Sequence, residues 1–370
     1  MIYFDNAATT LQKPEIVYSA MAEAARTCAG IGRSGHGAAM RAAEIAFNCR
    51  AAAGELFDIF PEQVVFTTNA THALNIAIRT LVKKNDRVVI SGFEHNAVVR
   101  PLHAIGADVI SAGHQLFNQE ETLQAFRSAI TSDTKAVICT HVSNVFGYRF
   151  PIEEIAEICI EKAVPLIVDA AQSAGILPIS MKKLNAAFIA MPGHKGLYGP
   201  QGTGLLLCGK IPDPLIFGGT GSISMDPDMP EFLPDRAEAG THNLPGIAGL
   251  LEGIQYIKKR GTHNISQYEN GLRDLLLKEI SDLGNLKIYT GYPQTGVLSL
   301  EVIGMDSENV ATALWERGIA VRAGLHCSPL AHLSAGTIDR GTVRISFSNF
   351  NTDEEVYQLA DTLHLISKQK

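Results

Sequence analysis

Asp169 ends one short apolar run, Val164-Pro165-Leu166-Ile167-Val168. Lys195 stands in a glycine-rich turn just after the next, Ala186-Ala187-Phe188-Ile189-Ala190-Met191. Runs of this kind read as strands buried on both faces. An acid and an amine at the carboxyl ends of parallel strands lie where open α/β sheets place their ligands. That pairing suits pyridoxal phosphate, whose aldehyde forms an imine with a lysine and whose pyridine nitrogen keeps its proton beside a carboxylate. An ordinary surface lysine and a strand-terminal aspartate would look the same in isolation, so the neighbouring residues have to decide.

Four other segments carry chemistry. After Val64-Val65-Phe66-Thr67-Thr68 the chain turns through Asn69-Ala70-Thr71 into a helical stretch, His72 to Leu81. Amides at the helix start (Ala70, Thr71, His72) and the Thr71 hydroxyl suit a phosphate, and Asn69 or Thr71 serving only as an N-cap is equally compatible. Gly193-His194-Lys195-Gly196, followed by Gly199-Pro200-Gln201-Gly202, exposes backbone to a close ligand. Cys327 lies in the polar turn Gly324-Leu325-His326-Cys327-Ser328-Pro329, with His326 adjacent and Arg322 nearby. Cationic neighbours would raise its thiolate fraction. Arg344, inside Val343-Arg344-Ile345-Ser346-Phe347, needs an anionic partner, either a substrate carboxylate or a structural acid.

The elements that must position these groups alternate. Val64–Thr68, Arg87–Ser91, Ala136–Thr140, the two runs already named and Gly204–Cys208 read as strands, with helical patterns such as Pro151 to Lys162 between them. The alternation predicts a mostly parallel central sheet flanked by helices. Phe217 to Pro245, rich in Gly, Pro, Ser and Asp, reads as loop or domain junction. Beyond it, helices over Leu250 to Arg260 and Tyr268 to Leu283, strands over Gly296 to Val302 and Thr342 to Phe347, and a last helix from Val356 to Ile366 predict a smaller α+β domain. Thr352 and Glu355 have capping-box spacing before that last helix. The expected division is a large domain over 16–248 and a small one made of 1–15 and 249–370.

Composition narrows the function classes. The chain has 370 residues, 46% hydrophobic and 19% charged, with a net charge of −7 and no basic stripe, which argues against nucleic acid. No apolar stretch nears the roughly 18 residues of a membrane span. The start, Met1-Ile2-Tyr3-Phe4-Asp5-Asn6, lacks signal-peptide character, and six irregularly placed cysteines without a CxxC pair fit a reducing, cytoplasmic setting. Twelve histidines show no metal-ligand spacing, so no metal is expected. Gly30-Ile31-Gly32-Arg33-Ser34-Gly35 matches GxGxxG, but a helical stretch, Ile16 to Arg26, precedes it rather than a strand, so a dinucleotide site is not expected.

Taken together these segments resemble the class V aminotransferase group of pyridoxal phosphate enzymes, fold type I, and within it the cysteine desulfurases and selenocysteine lyases. The resemblance spans nearly the whole chain. Asp5-Asn6-Ala7-Ala8 is similar to the family's opening, which implies Asn6 and Ala7 on the substrate side, as does His36 in Arg33-Ser34-Gly35-His36. Glu94-His95-Asn96-Ala97 implies His95 stacked on the cofactor ring. Thr140-His141-Val142-Ser143-Asn144 implies Asn144 beside cofactor and substrate. Asp169-Ala170-Ala171-Gln172 implies Asp169 at the pyridine nitrogen and Gln172 near the phenolic oxygen. Gly193-His194-Lys195 implies Lys195 as the imine lysine and His194 at the phosphate. Glu238-Ala239-Gly240-Thr241 resembles a stretch that reaches the phosphate of a second subunit, which implies a homodimer. His326-Cys327 implies Cys327 as the sulfur nucleophile. Arg344, with Arg322 near, is implied as the carboxylate clamp.

The resemblance thus implies conversion of L-cysteine to L-alanine with a persulfide on Cys327, and a sulfur-acceptor protein as partner. Selenocysteine lyase, cysteine sulfinate desulfinase, an aminotransferase that ignores Cys327, and a non-catalytic cofactor-binding module are the alternatives. Pro192 stands where many relatives carry a serine that contacts phosphate, and Leu325 where a histidine is common.

Overall fold

A computed structural model describes residues 1–31 and 34–367. Gly32 and Arg33 of the GxGxxG-like stretch lie outside the described residues. The chain opens with β1 (Ile2–Tyr3) and two helices, α1 (Glu15–Thr27) and α2 (Gly37–Phe57). There follow β2 (Val64–Thr67), α3 (Ala70–Leu81), β3 (Arg87–Ser91), α4 (Asn96–Ile105) and β4 (Asp108–Ala112). Next come α5 (Gln119–Ala129), β5 (Thr134–Thr140), α6 (Ile152–Glu161), β6 (Leu166–Asp169), α7 (Met181–Leu184), β7 (Phe188–Pro192) and β8 (Gly204–Cys208).

Strands β2 to β8 form one seven-stranded sheet in the order β2-β8-β7-β6-β5-β3-β4. All pairings from β7 through β4 are parallel, and only β8 runs against its two neighbours. The mostly parallel sheet expected from the alternation is present. Apart from the edge strand β4, the middle residues of its strands are apolar and buried because both faces are covered. Val88 and Ile90 pack under α3 and α4 with Leu74, Ile78 and Leu102, while Val89 faces the opposite layer with Phe57, Phe126 and Ile155.

Between Phe217 and Asn243 the described chain is irregular apart from one short turn of helix at Asp235–Ala237, as the composition predicts. The remainder is α8 (Leu244–Arg260), α9 (Thr262–Glu279), β9 (Leu286–Tyr289), β10 (Val297–Val302) and α10 (Ser307–Trp315). It ends with β11 (Ile319–Ala320), β12 (Arg322–Gly324), α11 (Pro329–Ala335), β13 (Thr342–Ser346) and α12 (Asp353–Ser367). Strands β12-β13-β10-β9 make an antiparallel sheet, against which Leu272, Leu314, Val356 and Leu359 pack from α9, α10 and α12. The capping box is formed: Glu355 N–H donates to Thr352 Oγ1 and Thr352 N–H to Glu355 Oε2. β1 pairs with β11, which ties the N-terminus to this second layer.

Helix α8 is continuous through 248/249 and packs on α1 and α2. A division at Gly261, between α8 and α9, fits that packing better than the one expected at 248/249, and we offer it as our proposal for the boundary.

One buried ion pair steadies the irregular segment. Arg50 on α2 holds both carboxylate oxygens of Glu238, at 2.8 and 2.7 Å. Glu238 also accepts from the Phe66 amide and lies 2.9 Å from His242 Nε2. Burial pushes the Glu238 carboxyl up, but Arg50 and His242 outweigh it and the net shift is downward. Its contribution to stability is therefore present above the ordinary glutamate range and is lost as pH falls through the depressed value. Glu238→Ala would leave Arg50 buried without its anion and should cost about 3–5 kcal/mol in urea unfolding. A loss below about 1 kcal/mol would show that the pair does not hold the segment.

Candidate active site

The carboxyl ends of the parallel strands converge on a cavity of about 210 Å³. The turn after β2 supplies Asn69, Ala70 and Thr71; the turn after β3 supplies His95; the one after β5, Asn144. β6 ends at Asp169, with Gln172 beyond it, and the turn after β7 brings His194 and Lys195. The second layer contributes Arg322, Cys327 and Arg344, and the N-terminal segment Ala7 and Ala8. Larger clefts of about 830 and 1140 Å³ open elsewhere on the surface, but neither gathers these groups. Chemistry rather than size marks the site.

Each group's state follows from its surroundings. Burial, then the cations Arg344 and Arg322, lowers the Lys195 ammonium to about 8, against the pull of Asp169 and Asp5. Among the described residues its Nζ makes no hydrogen bond, so the amine is free to react. Burial raises Asp169, opposed by the Ala171 amide that donates to Oδ1 at 2.9 Å and by Lys195. Its neighbour Glu94 is fully buried. Burial, reinforced by Asp169, pushes it to about 8 despite bonds from Ser91 and the Thr140 amide. Glu94 is thus an uncharged acid at neutral pH.

His95 caps α4 by accepting the Ala97 amide on Nδ1 at 2.9 Å. Burial, then Lys195, Arg322, Arg100 and Arg344, lowers it to about 4, so it is neutral with its proton on Nε2. His194 is lowered to about 4 by burial, Lys195 and Lys13, and its Nδ1 lies 3.0 Å from Thr9 Oγ1. At the α3 start the cap is Asn69, which accepts the His72 amide at 2.9 Å; the His72 ring lies beside Thr68, outside the cavity lining.

Arg344, 2% exposed, pairs with Asp5 at 2.7 Å and donates to the Asn144 carbonyl at 3.0 Å. Its Nε is buried without a partner. Arg322 lies directly across from it on the paired strand. Two facing guanidiniums and an unpaired donor fit a carboxylate, so the structural and the ligand partner coexist.

Cys327 is exposed, whereas Cys49, Cys139, Cys159 and Cys208 are buried, with burial pushing each thiol up. Cys28, half-buried, lines a different cavity. The expected help from His326 is absent. Its ring is buried on Thr342, and burial followed by Arg344 pushes it down to about 2, so it is uncharged. Arg322 Nη2, 3.9 Å from Sγ, is the cation that the thiol meets.

Besides His72, three expected residues lie elsewhere. Asn6 does not line this cavity: its amide is spent on Ser346 and Asn351, latching the N-terminus to β13. His36 is exposed and caps α2 by accepting the Ala39 amide. Thr241 is exposed on the arm anchored by Glu238, away from this chain's own cavity. Ala7 is in the lining, but its amide bonds Ser346 Oγ and its carbonyl takes Gln172 Nε2, leaving only apolar contact. The sequence reading missed the ties made by Ser328 and the neutral acid Glu94; a glutamate beside an apolar strand end was the available signal for the latter.

A free buried amine, a carboxylate facing it, a helix N-terminus and neutral imidazoles fit a pyridine aldehyde carrying a phosphate. Pro192 lines the cavity and brings no donor to it.

Known proteins share this sequence pattern and fold. The aminotransferase class-V family model matches residues 2–359. A probable cysteine desulfurase of Methanothermobacter thermautotrophicus is 33% identical over 99% of this chain and 94% of its own. One from Pyrococcus abyssi is 32% identical over 100% and 94%. Among solved structures, an apo cysteine desulfurase from Thermococcus onnurineus superposes with a TM-score of 0.92 at 31% identity, covering 100% of this chain and 95% of that one.

Proposed function

The chain belongs to the class-V aminotransferase family, and from that premise we infer that it is a pyridoxal phosphate-dependent cysteine desulfurase, converting L-cysteine to L-alanine with sulfur passed to Cys327. The observation that carries the reading is the sharing of one cavity by Lys195, Asp169, Arg344 and the exposed Cys327. An aminotransferase would need no thiol there.

Lys195 would tether the cofactor, Asp169 would face its ring nitrogen, His95 its ring, Gln172 its phenolic oxygen, and His194 with the Ala70 and Thr71 amides its phosphate. The bound cofactor supplies an electron sink for the substrate α-carbon. Arg344, with Arg322, holds the substrate carboxylate. Lys195, lowered to about 8, is a base able to take the α-proton at neutral pH. The Cys327 thiolate forms a bond to the substrate sulfur as the carbon–sulfur bond breaks. The carbon keeps that electron pair and takes a proton, giving alanine and a persulfide. His95, neutral with a proton on Nε2, donates rather than accepts over the ring.

The exposed Thr241 arm supports a homodimer in which it reaches the partner's phosphate site. The exposed Cys327 supports a separate sulfur acceptor. No helix among the described residues is long and apolar enough to cross a membrane, and all six cysteines are free, which suits a cytoplasmic setting.

Incubation with L-cysteine and reductant should yield alanine and sulfide in equal amounts. Alanine formed only when pyruvate is added would overturn the reading in favour of transamination. Selenocysteine and cysteine sulfinate, run in parallel, rank the alternative leaving groups. The lysine can be tested by itself: attachment of pyridoxal phosphate to the cofactor-free protein should accelerate as pH rises to about 8 and level off above it. A rate still climbing towards roughly 10, as for an ordinary lysine, would count against Lys195.

A further inference from the structure

Ser328 occupies the N-cap position of α11, where a serine oxygen usually accepts an amide from the first turn. It makes no such bond. Its fully buried hydroxyl instead donates to Asn144 Oδ1 at 2.6 Å. The other end of the same amide, Asn144 Nδ2, donates to the His326 carbonyl at 2.8 Å. Asn144 therefore grips the cysteine loop on both sides of Cys327, while its own carbonyl accepts from Arg344. A third tie comes from Asn96, beside His95, whose N–H donates to the Cys327 carbonyl at 2.8 Å.

These bonds hold a conformation that the loop would not choose. His326 and Cys327 have φ of 49° and 59°, two consecutive non-glycine residues in the left-handed region. Such strain persists only where the surroundings over-determine it. The His326 ring, stacked 5.6 Å from His332 and bonded to Thr342, fixes the loop from behind.

We propose that Ser328 is a positioning residue: by orienting Asn144 it locks the Cys327 loop against the Arg344 clamp and so governs sulfur transfer rather than substrate capture. The proposal rests on the desulfurase reading and names what that reading requires of the loop. Without the hydroxyl, the Asn144 amide loses one of its two grips and is free to rotate. The nucleophile then samples positions away from the substrate sulfur, while Arg344 and Lys195 remain in place.

The test uses holoenzyme carrying Ser328→Ala or Ser328→Thr, mixed with L-cysteine in the absence of an acceptor. First-turnover persulfide on Cys327 is followed by quenched mass spectrometry, substrate capture by the change in cofactor absorbance, and loop locking by hydrogen exchange at the Asn96 amide. In Ser328→Ala, persulfide formation should slow about tenfold, capture and KM should stay within about twofold, and Asn96 should exchange faster. Ser328→Thr should restore the persulfide rate and the slow Asn96 exchange and leave capture unchanged. Wild-type persulfide rates in Ser328→Ala, or capture and transfer falling together with Tm, overturn the proposal. A wild-type enzyme that forms no persulfide sinks the desulfurase reading and the proposal with it, whereas the Asn96 exchange reports the lock independently.

Discussion

Lys195→Ala should lower alanine formation from L-cysteine by about ten-thousandfold or more, equivalent to roughly 5.5 kcal/mol of lost transition-state stabilisation. The magnitude reflects two functions lost in one side chain, the tether and the α-carbon base. The surroundings argue that no other group can take over. His95 and His194 are lowered to about 4 and make poor bases of small driving force. Lys13, lowered to about 8 by burial, spends its ammonium on Thr10 and lies outside the cavity lining. The fold should survive, because Lys195 Nζ makes no hydrogen bond among the described residues. Borohydride treatment of the wild type should fix a cofactor adduct at position 195 by mass spectrometry, and the variant should lack it. An adduct at another residue, or activity within about a hundredfold of wild type, would refute the assignment.

How far the sequence discloses this site depends on how each residue departs from its local context. Asp169 and Arg344 are ionisable groups in otherwise apolar strands, and Lys195 follows such a strand in a glycine-rich turn. All three are anomalies that physical reasoning flags, and all three meet in the cavity. The central strands were legible because β3 and β8 carry short apolar runs, Val88-Val89-Ile90 and Leu205-Leu206-Leu207-Cys208. What stayed hidden depends on tertiary placement. The 21-residue helix α2 is Ala-rich with buried positions on several sides, so its periodicity is shallow. β4 carries exposed Asp108 and Val109 at a sheet edge and lacks the signature of a buried strand. The two-residue and three-residue strands β11 and β12 exist only through their partners. His326 looked like a cationic neighbour of the thiol because proximity in sequence is visible and burial is not. The division at 248/249 followed a change of composition, but α8 runs through it because its apolar face serves α1 and α2.

Cys327→Ser should leave cofactor attachment at Lys195 intact yet cut sulfide release from L-cysteine by at least about a thousandfold, or roughly 4 kcal/mol. A serine hydroxyl is similar in size but is neither appreciably ionised at neutral pH nor nucleophilic towards sulfur, so the tether and clamp persist while the acceptor of the substrate sulfur is lost. No other cysteine lines this cavity: four are buried with their thiols raised, and Cys28 lies outside the lining. The same variant separates the readings that share this cofactor geometry. A carbon–selenium or carbon–sulfinate bond breaks more readily than carbon–sulfur, so a chain built for those substrates should keep much of its turnover on them without the thiol. Retention of turnover on L-cysteine itself would place the nucleophile elsewhere and remove the reason for an exposed cysteine over this cavity. The discriminating quantity is the ratio of losses across the three substrates, measured in one preparation. A desulfurase loses most on cysteine, whereas an aminotransferase loses nothing on any of them.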